Sequence, residues 1–179
     1  MEKYKILNKK NIYSGTIFDL SQHTVELPDG RAVQRDVIVH NGASVIIPVT
    51  ESKELVLVRQ YRIGSDSVML ELPAGKFDSP GEDPEACALR ELAEETGYQA
   101  KKIKRILKLH PIPAYCTEEV SMFLAEGLTK PGETTLDDEE FLEVELHSLP
   151  ALLDMIDNGE ITDMKTILGV LYYSRLKPL

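Results

Sequence analysis

Read for the spacing of apolar and polar positions, the chain divides into a lightly apolar beginning and a denser remainder. The first forty residues alternate, as in Thr24-Val25-Glu26-Leu27, turn at Pro28-Asp29-Gly30 and resume from Val33 to Val39. That pattern predicts a β-hairpin. From Ala43 the run ASVIIPV is nearly all apolar, which predicts a strand covered on both faces. Glu51 to Glu54 turns the chain, and LVLVRQY is expected to return as its partner. Val68 to Leu72 makes a short strand that stops at Pro73-Ala74-Gly75.

A helix is expected next, starting near Asp83-Pro84 and stopping at Gly97. Asp caps a helix start well, proline is tolerated at the first helical position, and glycine is the usual residue just past the end. Strand-like segments follow at Ile103 to Leu109, Val120 to Ala125 and Phe141 to Leu146. Helical patterns at Pro150 to Asn158 and Asp163 to Arg175 close the chain, the second with Asp163 as its cap. Neither an internal repeat nor a low-complexity stretch is visible. The expected boundary falls near Asn41-Gly42, dividing an N-terminal β unit (1–42) from a mixed sheet-and-helix body (43–179).

Composition narrows the function classes. The chain has 179 residues with 42% hydrophobic content, enough for a proper core and against a disordered reading. Its 30 acidic and 20 basic residues give a formal net charge of -10, a field that repels nucleic acid and anionic membrane, so neither is an expected partner. No apolar run approaches the ~20 residues of a membrane helix, and the first residues lack a signal-peptide core, so a soluble cytoplasmic protein is expected. Cys87 and Cys116 stand in unrelated contexts and read as two buried thiols. The four histidines, His23, His40, His110 and His147, are scattered singly without metal-ligand spacing and read as surface or satisfied residues. No nucleophile elbow appears.

The unusual local feature is the helix itself. At about 100° per residue, Glu91, Glu94 and Glu95 fall within an arc of about 100°, with Ala86, Leu89, Leu92 and Ala93 on the other side. Like charges at i,i+4 repel, and Arg90 offsets only part of this. A solvated acidic face is one reading. The other follows from the glycine-bearing loop ahead of the helix and the apolar flank of the acidic arc: convergent carboxylates looking into a groove, suited to a hard divalent cation such as magnesium.

The stretch resembles the signature of the Nudix hydrolases. Gly75, Glu82, Arg90, Glu91, Leu92, Glu94, Glu95, Gly97 and Tyr98 match it, with six residues, Lys76 to Gly81, where the family has five between glycine and glutamate. The resemblance implies an α/β (α+β) fold, a mixed sheet between helices, and metal-assisted hydrolysis of a nucleoside diphosphate linked to another moiety. Magnesium is the implied cofactor, with manganese as the alternative. Glu91 and Glu95 are then the principal metal ligands, Glu94 a further ligand or water-binding group, the Ala74 carbonyl completes the shell, and Arg90 orients a glutamate by ion pairing.

Outside the box the chain is similar to the ADP-ribose pyrophosphatase branch, through Arg59-Gln60-Tyr61-Arg62, Glu71-Leu72-Pro73-Ala74-Gly75-Lys76, Pro113 and Asp163-Met164-Lys165-Thr166-Ile167, although Ala114 follows Pro113 where glycine is usual. The branch implies Arg59 and Arg62 near the substrate's phosphates, with Arg35, Glu71 and Glu118 also substrate-binding. It implies a catalytic base on a late loop, Glu139 first, with Asp137 and Glu140 as substitutes. It further implies a homodimer in which the N-terminal unit exchanges between subunits and helps bind the nucleobase, with Tyr4, Tyr13 and Phe18 as stacking candidates. The expected reaction converts ADP-ribose to AMP and ribose 5-phosphate; the rivals are a nucleotide-sugar pyrophosphatase of other specificity and a Nudix module that senses a nucleotide without cleaving it.

Overall fold

The computed structural model describes residues 3–130 and 141–176. The first unit is a three-stranded antiparallel meander of β1 (Lys5–Ser14), β2 (Asp19–Glu26) and β3 (Ala32–Val39). The expected hairpin is β2 and β3, turning at Gly30, which adopts φ +84°. Strand β1 is additional. Its pairing with β2 shifts register between Ile6 and Asn8 and again between Asn11 and Tyr13, so the side-chain alternation that would have announced a strand is broken twice. Strand β3 is laced to the body: the Ile38 amide donates to the Tyr115 carbonyl at 2.8 Å, and the Thr117 amide to the Ile38 carbonyl at 2.9 Å.

The body is built around β4 (Ala43–Pro48), flanked by β7 (Ala74–Lys76) and β9 (Val120–Thr129), with β8 (Gln99–Leu109) outside β9. The pairing of β4 with β9 is parallel and those of β4 with β7 and of β8 with β9 are antiparallel, so the sheet is mixed. Strand β5 (Glu54–Arg62) does not return along β4. Only the Val49–Leu55 bridge joins them, and β5 instead pairs with β6 (Ser67–Glu71) and β10 (Leu142–Ser148) in a second, antiparallel sheet. Both hydrogen-bonding edges of β4 are already filled by β7 and β9, which leaves β5 no ladder to join.

The continuous apolar run of β4 is explained by what covers it. Val45 and Ile47 face a core shared with Leu149 and Leu152 of α2 (Leu149–Asp157) and Val170 and Tyr173 of α3 (Met164–Leu176). Ile46 faces the opposite core, with Ala88 and Leu92 of α1 (Pro84–Thr96). The mixed sheet thus lies between helices, as expected. Alternating residues that both point into apolar cores make the strand nearly all apolar, and its one polar side chain, Ser44, is itself buried.

Candidate active site

The position of the glutamates is set by the ends of α1. The Asp83 side chain caps the first turn by accepting from the Glu85 amide, Pro84 occupies the first helical position, and Gly97 closes the helix in the left-handed region at φ +70°. Ser44 Oγ donates to the Pro84 carbonyl at 2.7 Å, pinning the helix start to β4. With Ala88 and Leu92 fully buried, the rotation of the helix is fixed, and Glu91 and Glu95 turn toward β7.

There the contacts are close. A Cβ on Gly75 would lie 1.8 Å from the Glu91 carboxyl carbon, so only glycine lets this carboxylate rest against the strand. The Ala74 amide donates to Glu95 Oε2 at 3.1 Å, and Glu95 is buried. Cys87 packs beneath, its thiol toward the carbonyls of Gly75 and Lys76; burial pushes its pKa up to about 11, so it remains a protonated packing residue. Cys116, expected buried, is only half-buried, because it lies at the surface where β3 meets the segment after β8.

Arg90 organises the acidic face. Its Nη1 donates to Glu91 Oε1 at 2.7 Å and Glu94 Oε2 at 3.0 Å, while Nη2 donates to the Lys76 carbonyl at 3.3 Å and lies 3.5 Å from both Glu82 and Asp78. Burial alone would lower the guanidinium's pKa, but the charge of Glu91 and the bonds to Glu94 and Glu91 outweigh it and raise it. The six-residue loop is absorbed ahead of the cap, where Glu82 accepts from the Asp78 amide at 2.6 Å. Among the described residues, no three His, Cys, Asp or Glu side chains gather into a metal cage on their own. The expected convergence is therefore modified: Arg90 stands between Glu91 and Glu94, and Glu95 turns to the Ala74 amide. An all-oxygen donor set beside a glycine cradle still fits a hard cation, because magnesium retains waters and recruits substrate phosphate instead of demanding a complete protein cage.

A groove of about 320 Å³ opens over this constellation, lined by Ile17, His40, Arg62 and Lys76 together with Glu91 and Glu94. Arg62 donates through Nε and Nη2 to the two oxygens of Glu71, each at 2.8 Å. Glu71 is 1% exposed and also accepts from Lys165, which is bonded in turn to Asp163, the cap of α3. Burial, the largest single influence, pushes the Glu71 carboxyl up, yet the bond from Arg62 and the charge and bond of Lys165 outweigh it and hold its pKa below the ordinary value. Buried this way, Glu71 holds Arg62 instead of reaching into the groove. The same network includes a bond from the Leu72 amide to Thr166 Oγ1 at 2.8 Å, which ties α3 to the segment leading into β7.

Arg59 is not brought to this groove. Three positions from Arg62 on one strand, it projects from the opposite face, where it pairs with Glu145 and lines a larger groove of about 450 Å³ with Tyr61 and Phe141. That larger groove contains none of the Nudix-type glutamates, so chemistry and not volume selects the smaller one. Arg35 lies on β3, donating to the Gln34 carbonyl at 2.9 Å, and does not line the groove. Glu118 stands 3.9 Å from His40 at its rim. Tyr4, Tyr13 and Phe18 are exposed and do not line it either; Ile17 does. Glu139, Asp137 and Glu140 lie outside the described residues. Sequence reasoning missed His40, Lys76 and Ile17. Lys76 was signalled by its place next to Gly75, whereas His40 and Ile17 carry no local signal.

Fold and site together define a Nudix-type hydrolase, and comparison with known proteins agrees: a NUDIX domain model matches residues 40–167, and the chain belongs to the Nudix family. It is 40% identical over 169 residues to the ADP-ribose pyrophosphatase of Bacillus subtilis (strain 168), across 94% of this chain and 91% of that one. It is 35% identical over 169 residues to the methanol dehydrogenase activator of Bacillus methanolicus, with the same shares covered. A solved structure described as an ADP compounds hydrolase superposes with a TM-score of 0.84 at 24% identity, covering 99% of this chain and 97% of that one, a likeness of fold. Nudix hydrolases generally need a divalent metal. Among the described residues no helix is long and apolar enough to cross a membrane.

Proposed function

We propose that this Nudix hydrolase cleaves the pyrophosphate bond of ADP-ribose, giving AMP and ribose 5-phosphate, with magnesium as its cation. The observation that carries this reading is the cradle in which Glu91 lies against Gly75 and Glu95 against the Ala74 amide, with Arg62 lining the same groove. The substrate follows the relative named ADP-ribose pyrophosphatase, similar along almost the whole chain. Glu91, Glu95, Glu94 and the Ala74 carbonyl would hold the metal. When bound, the cation supplies positive charge against the diphosphate and polarises the attacking water. The chain's own part is positional. Arg90 holds Glu91 and Glu94 in place, and Glu71 aims Arg62, whose remaining guanidinium edge pairs with phosphate oxygens. Glu139 takes the proton from the water, with Asp137 or Glu140 as alternatives.

The N-terminal unit, residues 1–42, serves in this reading as a subdomain for dimerisation and base binding. The support is the wholly exposed β1, with apolar Ile6, Leu7 and Ile12 uncovered, which suits a homodimer. Light scattering tests this, and a monomer mass contradicts it. For the reaction, the experiment is product analysis after incubation with ADP-ribose, ADP-glucose, GDP-mannose and NADH, with and without magnesium. AMP and ribose 5-phosphate formed fastest from ADP-ribose, and only with the metal, is the expected result. Metal-independent turnover removes the mechanism, faster cleavage of another compound reassigns the substrate, and binding without products makes the protein a sensor.

A further inference from the structure

His40 follows β3 and lines the groove with Arg62, Lys76 and Glu91, yet the reading above, on which this inference rests, leaves it unused. The residue is held from three sides. Its amide donates to Thr117 Oγ1 at 2.9 Å, the Thr117 hydroxyl donates back to its carbonyl at 3.2 Å, and the Gly42 amide donates to its ring Nδ1 at 3.0 Å. Gly42 has φ +108°, and a Cβ there would meet the Phe77 ring at 2.7 Å and the Glu119 carbonyl at 3.0 Å, so the donor that fixes the ring is itself locked.

That bond decides the tautomer. A backbone N–H can only donate, so Nδ1 accepts and the ring's proton sits on Nε2. Glu118 Oε1, 3.9 Å from Nδ1, is too far for a hydrogen bond. With Nδ1 occupied and Nε2 protonated, the ring has no lone pair for a metal and none to act as a base. What it offers the groove is one N–H, which no other described residue accepts.

We propose that His40 is a substrate-contacting residue whose Nε2–H donates to a non-bridging oxygen of the diphosphate. A neutral donor suits a groove that also holds carboxylates: it adds a charge-assisted bond to the anionic substrate without forming an ion pair that would close the groove.

Two substitutions separate this role from a structural one, because asparagine places an oxygen where Nδ1 lies and glutamine places an N–H near Nε2. For His40→Asn, which keeps the Gly42 bond and loses the distal donor, the melting temperature should stay near wild type while KM for ADP-ribose rises about tenfold or more. For His40→Gln, which does the reverse, KM should stay within about threefold of wild type even though the protein melts lower. The opposite ranking overturns the proposal. Should His40→Gln fold poorly, the Nε2–H resonance of wild-type protein labelled at histidine nitrogen gives a second reading: it should shift on addition of α,β-methylene-ADP with magnesium, and an unmoved resonance overturns the contact. Wild-type failure on ADP-ribose sinks the substrate assignment alone. The same KM ranking is then read on ADP-glucose, GDP-mannose or NADH, whichever is cleaved, since all share the diphosphate; cleavage of none overturns both.

Discussion

Strand β5 carries two arginines, each gripped by a glutamate through two hydrogen bonds, and the pairs differ in almost everything else. Arg62 is held by Glu71, 1% exposed, braced by Lys165 and opening onto the groove lined by Glu91 and Glu94. Arg59 is held by Glu145, whose side chain is 27% exposed and which also contacts His147 at 2.7 Å, on the face turned away from that groove. The same pairing therefore serves two ends. A buried carboxylate with two cations fixes a guanidinium at the groove wall, whereas a part-exposed one contributes a surface pair of small worth.

Glu71→Gln is the strongest way to test that contrast. Leaving Arg62 without its counter-charge and Lys165 with Asp163 alone should cost about 3 kcal/mol in denaturant unfolding. The sign with pH follows from the depressed carboxyl: its contribution is present above the ordinary 4.5 and is lost as pH falls through the lower folded value, so the gap between wild type and variant should narrow on acidification below 4.5. A gap that widens instead would show that Glu71 is not the charged partner.

Gly75→Ala comes next, because it acts on the groove side alone. The nearest atoms to the added methyl belong to the movable end of Glu91, so the fold should tolerate it while turnover falls about a hundredfold as the carboxylate is displaced. Melting curves beside steady-state assays check both halves, and unaltered turnover would deny Glu91 its place. For Arg62→Ala, kcat/KM should drop about tenfold or more with the loss of one charge-assisted contact. Arg59→Ala is the matching control and should stay within about threefold. Equal losses for the two arginines would erase the distinction between the faces. The smallest effect is expected for Glu145→Gln, below about 1 kcal/mol in stability and reduced by salt.

Helix α1 was legible because its signals are local. Asp83, Pro84 and Gly97 mark its ends, and the 3.6-residue period places the glutamates. The double cover of β4 was legible for the same reason, from a run that is apolar except at Ser44. Pairing was not: ASVIIPV and LVLVRQY look like neighbours, and only the competition of β7 and β9 for the edges of β4 decides otherwise. Strand β1 hid behind two register shifts. The opposite facing of Arg59 and Arg62 follows from their odd spacing once β5 is accepted as a strand. Glu71 is harder, since nothing in Val68-Met69-Leu70-Glu71-Leu72 announces a lysine 94 positions away. The place of His40 in the groove wall was not legible, because it depends on the Gly42 amide and on packing that no periodicity describes.

The bond between the Leu72 amide and Thr166 Oγ1 also spans 94 positions, and it has a temporal consequence. Loop, cradle and glutamates leave the ribosome well before α3 does, so during synthesis the segment entering β7 waits for its last anchor. The nascent chain should acquire binding competence only once α3 has emerged and docked, later than the segment that carries the glutamates.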